Sequence, residues 1–406
     1  MKNMLFKKRY ILLSTCIACI FMMLQCDVDD YSEDRLETDY NDKGSEDGKQ
    51  TDSLDFVNID YYLPFAFIAQ INDNSGEWSL CAITSENGMR KIFNKNVACH
   101  KPVRSYSGTR LSVTSTEFKS YNDENNYYHT SSKHELYILN VDGTGITLVD
   151  CIDHTEEGGF GNIAWSPDDS HIVYVRSDNN YWDNNSLILY NISDNTHKVL
   201  KTEGNVCNPK FSPDGKQIAY CTTVKNNTGI TYVLSLNDHH IYKMDADGNN
   251  NQLIIKNGSS PQWSPQGDKI IFLSNGIDNS SQISVANADG SNQKQLTSSV
   301  NPGWWDTGFP RDGNEDPHWT KDGNKIVYVS WENERPEIFI MNVDGSEQTR
   351  LSNAERRDES PEITLDGKYI LFSSRRSVMG GIYMMGLDGS GKRLLFNTGI
   401  HPISCK

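Results

Sequence analysis

Two short signatures alternate along the chain from about residue 60 onward, and a sequence repeating in this way has few folds open to it. The first reads Pro209-Lys210-Phe211-Ser212-Pro213-Asp214-Gly215, followed by Ile218 and Tyr220. It returns as Pro261 to Gly267 with Ile270 and Phe272, as Pro317 to Gly323 with Ile326 and Tyr328, and as Pro361 to Gly367 with Ile370 and Phe372. Two copies are weaker: Trp165-Ser166-Pro167-Asp168-Asp169 lacks the leading Pro and the Gly, and Pro102 to Gly108 has Arg104 in the aromatic slot. Each copy reads as a β-hairpin. A short strand runs into a turn where Pro presets φ and Gly tolerates positive φ, and an alternating apolar strand leaves it.

The second signature is another hairpin, Ile338 to Gly345 followed by Thr349-Arg350-Leu351, with further copies at Asp142-Gly143, Asp247-Gly248, Asp289-Gly290 and Asp388-Gly389. Degenerate copies stand at Asn87-Gly88 and Asp194-Asn195. The leading slots at 102, 163, 209, 261, 317 and 361 are 61, 46, 52, 56 and 44 residues apart, so each unit holds two hairpins, hence four strands. Four strands per repeat make a propeller blade, and the chain is expected to be an all-β propeller. The alternating Pro-x-Trp-Ser-Pro-Asp-Gly and Asp-Gly hairpins resemble the TolB-type β-propeller over roughly residues 65–406.

The ends bear on the blade number. Before the six full units stand Phe65 to Ala69 and the Asn87-Gly88 hairpin, worth three strands; after them comes His401-Pro402-Ile403-Ser404-Cys405, a faint copy of the first strand. If that strand pairs with the N-terminal three, the ring closes at seven blades and leaves no exposed edge there. The TolB namesake has six, which is the alternative.

Charge divides the chain further. Residues 1–26 carry +4, residues 27–55 carry −9, and the remaining 351 carry −11 of a total of −16. A surplus of acids argues against a nucleic-acid partner, which needs Lys and Arg set against phosphate. Lys7, Lys8 and Arg9 precede an uncharged run from Ile11 to Leu24, the layout of an export signal over 1–25. The run ends at Cys26, where a signal of the lipoprotein type is cut and the new terminal Cys acylated. Met23-Leu24-Gln25-Cys26 departs from that family's cleavage box, since Gln25 is not small, and Cys16 and Cys19 are rival positions. Residues 26–58 are acidic and without apolar periodicity, so they are expected to be a solvated tether ahead of a propeller over 59–406. An acidic stretch after an acylated Cys resembles the surface-export signal of lipoproteins in Bacteroides-type bacteria; a plain linker facing the periplasm is the alternative. The expected location is the outer membrane, reached through the lipid anchor alone, with a monomeric domain.

In a four-stranded meander the first and third turns share one end. The middle loop and the link to the next blade share the other. All Asp-Gly turns therefore fall on one end, and the long connections at 115–134, 151–161, 177–186, 222–238, 297–315 and 352–359 on the other, where function on such scaffolds concentrates. These stretches carry Tyr121, Tyr127, Tyr128, Tyr181, Trp182, Trp304 and Trp305, with Asp306 and Arg375 among the charged groups beside them. Tyr and Trp join an apolar face to a hydrogen-bonding edge, which suits a protein surface or a glycan. Tyr127, Tyr128, Tyr181, Trp182, Trp304, Trp305, Asp306 and Arg375 are thus the candidate ligand-binding residues, packing against their own loops being the bland alternative. Trp165, Trp263 and Trp319, inside the motif, are read as packing between blades.

Chemistry is sparse. The chain has no Gly-x-Ser-x-Gly elbow, His-Glu-x-x-His pair or phosphate loop. Oligogalacturonate lyases resemble this repeat, and their paired metal-binding His would fall at Asn314 and Asp316, which leaves a catalytic metal unsupported. His100, His154, His239, His240, His318 and His401 fall near the loop-rich end without ligand spacing. No cofactor is expected. Asp306, Asp312, Asn314 and Asp316 offer oxygens for Ca²⁺, but not at EF-hand spacing. Of the cysteines past the signal, Cys207 and Cys221 flank one Pro-Asp-Gly turn and Cys81 and Cys405 share the expected closing blade; buried free thiols are the alternative for both pairs. The expectation is a non-catalytic, lipid-anchored propeller that binds an envelope protein or a glycan through its long-loop end. The alternative is a polysaccharide-binding or polysaccharide-processing protein.

Overall fold

The computed structural model describes residues 65–70, 78–84, 88–95, 102–122, 128–154, 158–177, 185–201, 204–223, 239–276, 280–298, 313–332, 335–353, 357–374, 381–396 and 400–404. The chain divides into two compact units, Met1–Asp55 and Phe56–Lys406, and every described residue belongs to the second. Its strands form four-stranded antiparallel sheets, as the paired hairpins require. Six sheets are each built from four consecutive strands. Their first strands are β4 (Val103–Arg104), β8 (Gly159–Trp165), β12 (Asn205–Phe211), β16 (Gly258–Trp263), β20 (Asn314–Trp319) and β24 (Asp358–Ile363). A seventh four-stranded sheet is composite: β28 (Ile400–Ser404) from the C-terminus pairs antiparallel with β1 (Phe65–Gln70), which continues into β2 (Trp78–Thr84) and β3 (Gly88–Lys91). β28 also packs between β24 and β4, so it fills the first-strand position of the composite sheet and closes the ring of inner strands.

Packing between blades is set by the alternating residues of the first signature. Ile172 and Tyr174, Ile218 and Tyr220, Ile270 and Phe272, Ile326 and Tyr328, and Ile370 and Phe372 are all at most 2% exposed. A buried tyrosine hydroxyl needs a partner, and each finds one near the outer strand of its own or the preceding blade. Tyr174 donates to Asp150 Oδ2 at 2.7 Å, Tyr220 to Asn251 Oδ1 at 2.9 Å, and Tyr328 to Gln348 Oε1 at 3.3 Å.

The degenerate turns keep their geometry. Asp169 and Asn195, where other copies have Gly, both sit at φ 56°, the left-handed region that Asp and Asn tolerate better than other side-chain-bearing residues. A feature not evident from the motif is a bulge in the inner strands at the leading Pro. Pairing of β12, β16, β20 and β24 with the next strand shifts register between Cys207 and Lys210, Ser259 and Gln262, Glu315 and His318, and Glu359 and Glu362. β8 also shifts register here, between Phe160 and Ile163, although Ile stands in the proline slot, so the bulge belongs to the inner strand and proline, which has no N–H to give the ladder, is tolerated there. The residue before it, Asn208, Ser260, Asp316 or Ser360, takes φ of 46–52°.

Three sequence expectations are corrected. The stretch 115–134 is not a long connection: β5 (Arg110–Asn122) and β6 (Tyr128–Asn140) form one extended hairpin across it. Its Thr, Ser and aromatic residues pair as a polar ladder that lacks the apolar alternation by which the other strands are recognised. The neighbouring connection also begins late, because β7 (Thr147–His154) covers the first part of 151–161. Finally, Cys81 lies on β2, and β1 separates β2 from β28. Two strand spacings are about 9.6 Å, beyond the reach of a disulfide from Cys81 to the β28 line. Cys81 is a buried free thiol whose burial pushes its pKa up to about 11.

Candidate functional site

The two ends of the channel are built differently. At the tight-turn end four of the first hairpins close on an Asp that spends its carboxylate on its own turn. Asp168 Oδ1 accepts from Ser166 Oγ at 2.6 Å, Ser170 Oγ at 2.7 Å and the Ser170 amide at 3.1 Å. Asp214, Asp322 and Asp366 repeat the arrangement with Ser212, Thr320 and Thr364, each at 2.6 Å. Hydrogen bonds from Ser166 and Ser170 hold the Asp168 carboxyl at about 2, and the other three are lowered too. These carboxylates stiffen turns and do not reach for a ligand.

Between the turns, the motif tryptophans bind one blade to the one before. Trp165 Nε1 donates to the Val103 carbonyl at 3.1 Å, Trp263 Nε1 to Lys210 O at 3.1 Å, and Trp319 Nε1 to Gln262 O at 3.3 Å. In each case the acceptor is the residue between Pro and the aromatic slot of the preceding copy. Arg104 occupies that aromatic slot in its own blade and makes a different bond: its Nε lies 3.2 Å from Glu362 Oε1. The pair joins β4 to β24, the two inner strands flanking β28, so it ties the blades on either side of the composite sheet.

These inner strands open into an axial funnel of 790 Å³ at the tight-turn end. Its lining comes from six sheets, from Pro102 to Tyr106 through Glu362 to Leu365, and includes Arg104, Lys210, Gln262, His318, Lys321 and Glu362. Sequence reasoning assigned the motif Trp residues to packing and overlooked the funnel they floor. The signal was there in the slot between Pro and the aromatic, which reads Lys210, Gln262, His318 and Glu362 in successive copies and is therefore free of the motif's packing constraint.

At the opposite end, where inner strands begin, β20 and β24 carry charged residues. Trp331 Nε1 donates to Glu315 Oε1 at 2.7 Å; the Arg357 guanidinium stands 5.7 Å from the Trp331 ring centroid and 3.8 Å from Glu359 Oε1. Burial raises the Glu359 carboxyl, Arg357 opposes, and Asp358 and Asp316 push it further up. His318 Nε2 lies 3.0 Å from Asp316 Oδ1. Asn314 is buried and donates through Nδ2 to Gln282 Oε1 at 3.0 Å in the preceding blade. Among the described residues no group of three or more His, Cys, Asp or Glu could hold a metal ion.

Most residues singled out in the sequence lie elsewhere. Tyr127, Tyr181, Trp182, Trp304, Trp305, Asp306 and Arg375 fall outside the described residues, as do Cys26, Asp312, His100 and Cys405. Tyr128 opens β6, but its side chain is outside the description, as are those of Tyr121, His154 and His401. His239 and His240 start β14 (His239–Asp245), away from Asp316 and His318 in sequence and on another blade. Cys207 and Cys221 face each other in the β12–β13 pairing, β13 being Gln217–Thr223, and are joined by a disulfide with Cα atoms 5.1 Å apart.

Comparison with known proteins agrees with this architecture. The family described as TolB beta propeller domain matches residues 110–303 and 256–402. Over 71 residues the chain is 31% identical to the Tol-Pal system protein TolB of Thioalkalivibrio sulfidiphilus, a stretch that spans 18% of this chain and 14% of that protein. Among solved structures, a puromycin-hydrolyzing peptidase of Mycobacterium tuberculosis aligns with a TM-score of 0.57 at 11% identity, over 82% of this chain and 53% of its own. An oligogalacturonate lyase of Vibrio parahaemolyticus aligns with a TM-score of 0.53 at 14% identity, over 82% of this chain and 85% of its own. At such identities the likeness is one of fold alone.

Proposed function

The chain belongs to the TolB β-propeller domain family, and from that premise we propose that it is a cell-envelope lipoprotein whose propeller binds a partner, protein or glycan, without catalysing a reaction on it. Export and acylation at Cys26 would hold it at the outer membrane, with the acidic segment 26–58 as a tether. The partner would meet the end that carries the long connections, through Tyr127, Tyr128, Tyr181, Trp182, Trp304, Trp305, Asp306 and Arg375. What supports this reading is the asymmetry of the two ends. Turns at one end are short and their Asp carboxylates are consumed by Ser, Thr and backbone donors. The other end receives the middle loops and the blade-to-blade links, and there Glu315, Arg357 and Glu359 gather around Trp331. Mixed charge beside aromatic rings is the composition of a recognition surface.

The test is capture from membranes with the full chain, crosslinked before extraction, beside a variant carrying Trp304→Ala and Trp305→Ala. A protein or glycan adduct in the wild type that disappears in the variant supports the reading, together with an acylated Cys26 in the mass of the N-terminal peptide. Identical capture by both proteins would refute the loop-end site. Turnover of a uronic-acid polymer with retained metal would replace binding by catalysis.

A further inference from the structure

Six blades close their first hairpin with a turn at the funnel end. Each of these turns sets the residue after its Ser or Thr into the lining: Tyr106, Pro167, Pro213, Pro265, Lys321 and Leu365. Five of the six are apolar or aromatic and none of the five is buried, Tyr106 being 62% exposed. Exposed apolar surface gathered around one concavity marks a place that something covers.

The seventh place in this ring of turns is open. The composite sheet takes its first strand from the C-terminus and its second from the N-terminal side. Ser404 at the end of β28 pairs with Phe65 at the start of β1, so no turn joins them. Among the described residues that sheet supplies none of the lining. The chain that leads into Phe65 therefore arrives where the missing turn would stand, one strand spacing of about 4.8 Å from the inner strand β28. Arg104 and Glu362, on the inner strands that flank β28, present this gap with a matched pair at 3.2 Å.

The arriving residues suit an apolar rim. Val57, Ile59, Tyr61 and Leu63 alternate with Asn58, Asp60 and Tyr62, the pattern of an extended segment with one apolar face. That face has no place in the adjoining blade, whose four positions are filled by β28, β1, β2 and β3. Six residues of extended chain at about 3.3 Å each carry Ile59 about 20 Å from Phe65, against roughly 11 Å for the diameter of a sphere of the funnel's 790 Å³. The segment is long enough to cross.

We propose that residues 57–63 fill this funnel from within the chain. They enter at the open seventh place and cross toward the blades of β12 and β16, which lie opposite the composite sheet, laying Val57, Ile59, Tyr61 and Leu63 on the apolar rim and wall. The protein itself then closes its tight-turn end. This holds whatever the long-loop end binds.

A photoreactive residue in place of Ile59 in the full chain, irradiated in detergent and mapped by mass spectrometry, tests the proposal. The expected product is an intrachain crosslink to the far wall, at 210–213 or 262–266, with a yield independent of protein concentration. Proteinase K gives a second readout on the protein without the probe: it is expected to cut the tether and to spare the bonds of 57–63. Tyr106→Ser keeps the backbone amide that holds the turn to Asp169 and removes an exposed ring from the rim. It is expected to raise cleavage within 57–63 about threefold to tenfold, because the segment then opens more often. Crosslinks confined to the outer turns of the adjacent blades, at 142–146 or 388–391, crosslinks between two copies, no crosslink to the far wall, or cleavage unchanged by Tyr106→Ser would each overturn the proposal.

Discussion

Replacing the indole N–H of Trp165 is expected to loosen one blade from the next by a definite amount. Trp165 is 7% exposed and its Nε1 has two acceptors in the preceding blade, Val103 O at 3.1 Å and Ser112 Oγ at 3.2 Å. Trp165→Phe keeps a ring in the same place, under the Arg110 guanidinium that sits 5.0 Å from the indole centroid, and deletes the donor. The lost hydrogen bond is worth about 1 kcal/mol, and the Val103 carbonyl keeps the Ser112 hydroxyl as a donor at 3.1 Å, so the expected loss is about 1 kcal/mol. Trp165→Ala also empties the packing and is expected to cost about 3–5 kcal/mol. The reverse experiment uses Phe211, which occupies the same slot without a donor: Phe211→Trp places an N–H toward the Ala164 carbonyl and is expected to gain roughly 0.5–1 kcal/mol. Urea denaturation followed by fluorescence and circular dichroism reads all three. If Trp165→Phe unfolds at the wild-type midpoint, or Phe211→Trp destabilises by as much as Trp165→Ala, blade-to-blade bonding through this slot is not what holds the ring.

Other outcomes follow from the same geometry. Cys207→Ala with Cys221→Ala is expected to lower stability by up to about 3 kcal/mol, the entropic value for a closed loop of this length, and dithiothreitol should lower the wild-type melting temperature while leaving the variant unmoved. Acid should destabilise the fold in a set window: Asp168 is held at about 2, as is Glu135, where burial alone would raise the carboxyl but bonds from Lys95, Lys133 and Tyr137 outweigh it. Folded-state values below the unfolded ones of about 4 mean that stability is fully present above pH 4 and drains away as pH falls toward 2, which acid titration of the urea midpoint would show. A flat profile between pH 5 and 2 would contradict the bonding of these carboxylates. Gly290→Ala should destabilise far more than Gly391→Ala: a Cβ at Gly290, φ +85°, would meet Ile254 O at 2.1 Å, whereas at Gly391, φ +62°, nothing lies within 4 Å and the backbone cost of about 1–2 kcal/mol stands alone.

The repeats made the strand pairs, the turn residues and the buried Ile and Tyr positions readable, because each copy states the same local rule and the copies agree. Arg104, which looked like a defect in the aromatic slot, is the informative exception: it meets Glu362 across β28 where another Trp would meet a backbone carbonyl. The extended β5–β6 hairpin was not readable, since Thr114 to Ser120 holds one apolar residue, Phe118, and so shows no apolar alternation. Nor were the bulges at Pro209, Pro261, Pro317 and Pro361, which recur in β8 with Ile163 in the same slot and leave no mark in the side-chain pattern. The funnel escaped notice for a related reason. Lys210 and Glu362 sit in the slot that varies between copies, Arg104 in the aromatic slot and Lys321 in a turn, and only closure of the ring brings them around one axis.

Binding at the long-loop end, by a protein held in the envelope, is measured most directly by site-specific photo-crosslinking in intact cells. A photoreactive residue at Trp304 reports that end, and one at Val199, exposed on the outer strand β11 (Thr196–Lys201), reports the side of the ring. The account expects a discrete adduct from position 304 in the membrane fraction and none from position 199. Adducts from 199 alone, or a crosslinked protein recovered entirely from the soluble fraction, would contradict it.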